Sequence, residues 1–201
     1  MTNKDKSPLV FFWAAPFAAV LAIIGAVVIS VAESATTQVP VLGQVPEFTY
    51  QDQLEQPFGL EQMKGKLNVV GFMFTRCRSV CPVMSGVIAE LNDLYQHSDK
   101  VQFVSISVDP DYDSVNVRRE YIDDHGVPQE RWHYLRAPID SVAQLMEQGF
   151  MLAAESLPGG HPSHFILVDR EGQIRGYYSY DDERDINLLK QQIRILAREE
   201  S

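Results

Sequence analysis

Two hydrophobic regimes divide the chain. From Leu9 to Ala32 the run LVFFWAAPFAAVLAIIGAVVISVA carries no charge over 24 residues. At 1.5 Å rise per residue, roughly 20 apolar residues cover the ~30 Å hydrocarbon core of a bilayer, so residues 9–32 predict a transmembrane anchor. The apolar core of a cleaved signal peptide is shorter, about 7–15 residues, which makes that the weaker reading. Pro16 is tolerated in such a span because neighbouring groups and local helix adjustment take up the freed carbonyl. Lys4 and Lys6 precede the run and the next basic residue is Lys64. The excess of positive charge on that side makes residues 1–8 a cytoplasmic tail and exports the rest. The expected placement is single-pass in the cell's inner membrane, with the functional domain on the periplasmic side. Residues 33–46, poor in large apolar side chains and holding Pro40, Gly43 and Pro46, read as a linker, with the domain occupying 47–201.

Beyond the linker the period shortens. Leu67–Phe74 (LNVVGFMF) and Val101–Val108 (VQFVSISV) are short apolar runs that predict strands buried on both faces. Between them Val83, Val87, Ile88, Leu91, Leu94 and Tyr95 recur at helical spacing, predicting a helix over Pro82–His97 and hence a right-handed βαβ unit. A helix over Ser114–His125, a strand over Trp132–Leu135 and a helix around Asp140–Gln148 follow. His164–Asp169 and Ile174–Tyr180, joined by Arg170-Glu171-Gly172, predict a hairpin. Ile186, Leu189, Ile193, Leu196 and Ala197 line one side of a closing helix. This order matches an α/β, thioredoxin-like fold: a central mixed sheet flanked by helices, in one domain.

Composition narrows the function. Lys+Arg 17 against Asp+Glu 27 leaves a net charge of −10, which supplies no basic footprint for phosphates and excludes nucleic acid as a partner. There are two cysteines, Cys77 and Cys81. They fall between the first buried strand and its helix, at the carboxyl end of a strand, where open α/β sheets bind ligands. The helix N-terminus and the flanking Arg76 and Arg78 favour thiolate over thiol. Residues four apart share a helix face, so both sulfurs reach one another or one ion. A purely structural disulfide closing so small a loop would restrict the unfolded chain little. A redox pair and a metal site both remain open on spacing alone.

A third donor comes from Gly159-Gly160-His161-Pro162-Ser163-His164, where spacing leaves His161 and His164 as equal candidates. Two thiolates and an imidazole form a soft, open set that suits Cu(I) and accepts Cu(II), unlike a closed four-ligand zinc site. Asp109, Asp111, Asp113 and Glu120 have calcium-loop spacing, but Ser114 stands where the loop requires glycine, so capping and turn roles are expected. Met73 and Met84 read as core, and His97, His125 and His133 show no ligand spacing.

The motifs Gly71-Phe72-Met73-Phe74-Thr75-Arg76-Cys77, Cys-x-x-x-Cys-Pro ending at Pro82, Ser105-Ile106-Ser107-Val108-Asp109-Pro110, and His161 ahead of Phe165–Gly172 resemble the SCO/SenC family over roughly residues 45–199. That resemblance implies a membrane-tethered copper chaperone rather than an enzyme. It implies a role in assembling the CuA centre of cytochrome c oxidase, with the CuA-bearing subunit as partner and a thiol reductant or another copper chaperone upstream. It assigns copper to Cys77, Cys81 and His161, makes His164 a neighbour, and places Asp109 beside the copper loop. The alternative is a thiol-disulfide oxidoreductase in which Cys77 and Cys81 are the catalytic redox pair acting on the oxidase cysteines. A thiol peroxidase, suggested by Thr75 alone, is weaker still. The chain departs from the family pattern at Arg78, where proline is usual, and at Pro162, where Ser or Thr is common.

Overall fold

The strongest apolar run forms the middle of the sheet. In the computed structural model, which describes residues 23–24 and 38–198, β4 (Leu67–Met73) is buried along its whole length, as is its parallel neighbour β5 (Val101–Ser107). They pair in register from Leu67 with Val101 to Met73 with Ser107. The helix between them, α2 (Val80–Leu94), completes the predicted βαβ unit. β6 (Trp132–Leu135) extends the sheet in parallel, while β7 (His164–Val168) and β8 (Gln173–Ser179) form the hairpin and join antiparallel to β4. With β1 (Gly43–Gln44) on β8, the order is β1-β8-β7-β4-β5-β6, a mixed sheet.

Continuous burial of β4 follows from cover on both faces. Val69 and Met73 face α2, α3 (Val115–Asp124) and α5 (Glu183–Arg198), packed by Met84, Ile88, Ile122, Leu189 and Ile193. Val70 and Phe72 face the opposite layer, with α1 (Leu60–Met63), α4 (Ile139–Gln144) and the π-helical turn Leu145–Gly149 contributing Leu60, Met63, Val142 and Met146, and Phe150 just after the turn joining them. The polar breaks are satisfied. The Asn68 amide donates to the carbonyls of Met63 and Lys66, and Gln102 donates to Asn68 at 2.6 Å.

The predicted elements are present with ends coinciding or shifted by at most three residues, except that the helix expected at 140–148 runs as α4 and then loosens into the π turn. Four short elements were not expected: β1, the hairpin β2 (Thr49–Gln51) with β3 (Pro57–Gly59), and α1. Each is two to four residues long, too short to show a period. β1 lies inside the stretch read as linker. Val39 and Val45 are buried there, and the compact unit starts at Val39, eight residues ahead of Glu47. Apart from Ile23 and Ile24, the expected anchor over 9–32 lies outside the described residues, as does the tail 1–8. Among the described residues no helix is long and apolar enough to cross a membrane.

Candidate metal centre

Both cysteines hang from the C-terminal end of β4. After Met73 the chain turns, with the Cys77 amide donating to the Phe74 carbonyl at 3.2 Å. Ser79 then stands at the N-terminal boundary of α2, which places Cys81 and Pro82 in its first turn, where no intrahelical amide donor is required. The turn is held from below by Asp113. Its fully buried carboxylate accepts from the Thr75 hydroxyl at 2.5 Å, the Thr75 amide at 3.3 Å and the Ser107 hydroxyl at 2.6 Å. Asp109 holds the same turn from the side through a two-pronged contact with Arg76 at 2.5 and 3.1 Å. The Arg76 guanidinium also lies 4.8 Å from the Tyr112 ring centroid.

His161 arrives on the segment between the π turn and β7. Gly160 donates to the Ser156 carbonyl at 2.9 Å, and the imidazole is 7% exposed, edge-on to Phe74 at 5.5 Å. Its Nε2 is 3.7 Å from Cys81 Sγ. The donor atoms of Cys77, Cys81 and His161 all lie within 4.8 Å of one another, the one such group of His, Cys, Asp and Glu donors found among the described residues. The spacing fits a metal. Metal–sulfur and metal–nitrogen distances of about 2.3 and 2.0 Å in a trigonal arrangement give a sulfur–nitrogen edge of about 3.7 Å.

The two thiols are free and unequal. Partial burial works against ionisation of Cys77, but hydrogen bonds from the Cys81 and Ser79 backbone and side chains outweigh it and bring the thiol down to about 7. Cys81 is fully buried, and burial pushes it up to about 12. Burial also lowers His161, which keeps its imidazole neutral and able to donate a lone pair. The site thus offers an accessible thiolate, a thiol that ionises when a cation or a disulfide demands it, and a neutral nitrogen.

The other singled-out residues lie elsewhere. His164 is exposed at the start of β7, opposite Ser179. His97 is exposed, His125 bonds the Tyr121 carbonyl at 2.7 Å, and His133 pairs with Asp52 at 3.4 Å. Met73 and Met84 are buried in the core, Met73 accepting from Ser105 at 3.0 Å. The acidic run Asp109–Glu120 makes a turn and a helix start, with Asp109 turned to Arg76 and Asp113 to Thr75 and Ser107. Arg76, expected to favour the thiolate, is engaged by Asp109 instead. Sequence reading also passed over Asp113 as the anchor of the cysteine turn and Ser79, whose hydroxyl is 3.7 Å from Cys77 Sγ. Asp113 to Thr75 spans 38 positions, and no local pattern announces it.

A βαβ-plus-hairpin sheet carrying a Cys-x-x-x-Cys pair after its first long strand, with a histidine brought against it, defines a thioredoxin-like thiol and metal domain. Residues 38–197 match the SCO1/SenC family profile, and the chain belongs to that family. It is 27% identical to the SCO1 protein homolog of Bacillus subtilis over 155 residues, covering 71% of this chain and 80% of that one. The crystal structure of a SCO1/SenC family lipoprotein from Bacillus anthracis superposes with a TM-score of 0.71 at 28% identity, covering 78% of this chain and 96% of that. Two further structures share the fold. BsSco, described with a disulfide switch as a member of the Sco family of cytochrome c oxidase assembly proteins, has a TM-score of 0.69 at 21% identity, covering 81% and 99%. Yeast Sco1 with copper bound has a TM-score of 0.60 at 24% identity, covering 77% and 94%.

Proposed function

We propose that the domain binds one copper ion through Cys77, Cys81 and His161 and delivers it to the CuA site of cytochrome c oxidase during assembly, tethered to the inner membrane by residues 9–32. The observation that carries this reading is the convergence of two sulfurs and one neutral imidazole within 4.8 Å. Soft donors of this kind and number suit Cu(I) and leave a coordination position open for an acceptor ligand. Copper is cargo here. Cys81 and His161 are buried and Cys77 is only partly buried, so ligand exchange begins on the Cys77 side. The glycine-bearing His161 segment is the arm that releases. Copper bound to yeast Sco1 and the place of BsSco among oxidase assembly proteins support the reading.

Transfer is the test. Copper-loaded domain mixed with a metal-free, reduced soluble CuA domain is expected to generate the CuA optical spectrum at the expense of the donor's copper. Retention of copper by the donor with excess acceptor present would reject delivery.

The difference between the thiols supports a second activity at the same residues. A nucleophilic Cys77 near 7 and a buried Cys81 form an attacking and resolving pair. In that reading the copper-free dithiol reduces a disulfide of the acceptor. Cys77 attacks one sulfur and forms a mixed disulfide, then Cys81 displaces the second thiol and closes the Cys77–Cys81 bond. Reduction of an oxidised CuA domain by the copper-free protein, undiminished in His161→Ala, would favour it.

A further inference from the structure

We infer that the mouth of this site receives an acidic partner, a protein whose acceptor cysteines or disulfide sit among carboxylates. The inference deepens the proposed function by fixing the partner's charge, and it rests on Cys77 being the donor at which exchange begins.

The chain as a whole carries −10 and repels anions. The mouth instead presents cationic side chains. Arg76 and Arg78 are the only Lys or Arg residues between Lys66 and Lys100, and both stand exposed in the cysteine turn. Arg76 is paired, but the pair is polarised outward: its side chain is 54% exposed, whereas that of Asp109 is 8% exposed. Arg78 has no hydrogen bond or ion pair among the described residues. The carboxylates next in sequence are engaged or placed elsewhere. Asp113 is spent on Thr75 and Ser107, and Asp111 lines a groove of about 560 Å³ with Gln51 and Arg136, a groove to which neither Cys77 nor Cys81 contributes. The N-terminal end of the 15-residue α2 adds partial positive charge at the same place. Apolar surface frames it: Val83 is 50% exposed one turn into α2, and Tyr112 is 47% exposed under the Arg76 guanidinium. A cationic, partly apolar spot on an anionic body selects both the sign and the orientation of an approaching acidic partner.

Charged disulfides of one aliphatic scaffold probe this without copper. The reduced, copper-free domain is mixed at pH 7 with dithiodipropionate (anionic), hydroxyethyl disulfide (neutral) or cystamine (cationic). In each case the protein dithiol is oxidised to the Cys77–Cys81 disulfide and the reagent is reduced to two thiols. Each rate is divided by the rate for free mercaptoethanol, which removes intrinsic reactivity. One charge pair about 7 Å apart in water is worth about threefold in rate, so the anionic reagent is expected to outpace the cationic one by about tenfold at low salt. The ratio is expected to fall toward one in about 0.5 M salt.

Arg78→Gln is expected to cut the ratio several-fold and Arg78→Lys to retain it. Arg184→Gln, at an exposed arginine paired with Asp182, is expected to leave it unchanged. A wild-type ratio at or below one, or a ratio unaltered by Arg78→Gln, would overturn the inference. Copper titration of the same samples separates the two claims. A protein that shows the preference but takes up no copper contradicts the chaperone reading alone, and one that takes up copper without the preference contradicts the acidic partner alone.

Discussion

The Nε2 of His161 stands 3.7 Å from Cys81 Sγ across 80 positions of sequence, and strand direction explains how. β7 runs antiparallel to β4, with Ile166 opposite Val70 and Val168 opposite Asn68. The start of β7 therefore lies at the end of β4. His161, three residues ahead of β7, and the cysteine turn, just after β4, meet at one end of the sheet.

The approach of His161 depends on its segment folding tightly at Gly160. A Cβ there would lie 2.7 Å from the Glu155 carbonyl oxygen, whereas at Gly159 it would meet open space. Gly160→Ala is expected to shift the segment and lower Cu(I) affinity at least tenfold. Gly159→Ala is expected to stay within twofold of wild type. Competition with a Cu(I) chelator measures both, and equal affinities would show that Gly160 does not place the histidine.

The thiols should label in sequence. With iodoacetamide and peptide mapping of the copper-free protein, Cys77 is expected to alkylate with a midpoint near pH 7, while Cys81 stays unmodified up to pH 9. The linked stability has opposite signs. Ionised Cys77 stabilises the fold above its ordinary 9.0, and that contribution is lost as pH falls toward 7. Protonated Cys81 stabilises it below 9.0, and that contribution is lost as pH rises toward 12. Equal labelling midpoints would contradict the asymmetry.

Asp113 anchors the cysteine turn. Asp113→Ala strands the Thr75 and Ser107 hydroxyls and is expected to cost about 2–4 kcal/mol in urea unfolding. Asp111→Ala, on the exposed side of the same turn, is expected to cost less than about 0.5 kcal/mol.

Gln53 finishes the β6 edge of the sheet. Fully buried, it accepts from the Tyr134 amide at 2.8 Å and donates to the Trp132 and Gln129 carbonyls at 3.0 and 2.9 Å. It thus stands in for a neighbouring strand. Gln53→Ala is expected to cost about 2–4 kcal/mol in the same unfolding measurement, and a cost under about 1 kcal/mol would show that water replaces it.

What could be read from the chain was what repeats locally. LNVVGFMF and VQFVSISV announce buried strands, and the Val83–Tyr95 stripe announces a helix, because covered faces demand apolar side chains at a fixed period. Cys77 and Cys81 declared themselves by position between those elements. Spacing left His161 and His164 even, since the choice depends on where β7 begins and which way the chain turns before it. Asp113 and Gln53 were illegible for a related reason. Their partners, Thr75 and Tyr134, are distant in sequence, and a buried polar side chain leaves no periodic mark. β1 was hidden by its length, two residues with Pro40 just before it.

Cu(I) competition titration of the reduced domain and three variants tests the central claim most directly. The wild type is expected to bind one equivalent. Cys77→Ser and Cys81→Ser are each expected to lose at least a hundredfold in affinity, and His161→Ala at least tenfold, while His164→Ala, titrated as a control, matches the wild type. Affinity unchanged by either cysteine substitution, or lowered by His164→Ala and not by His161→Ala, would contradict the account.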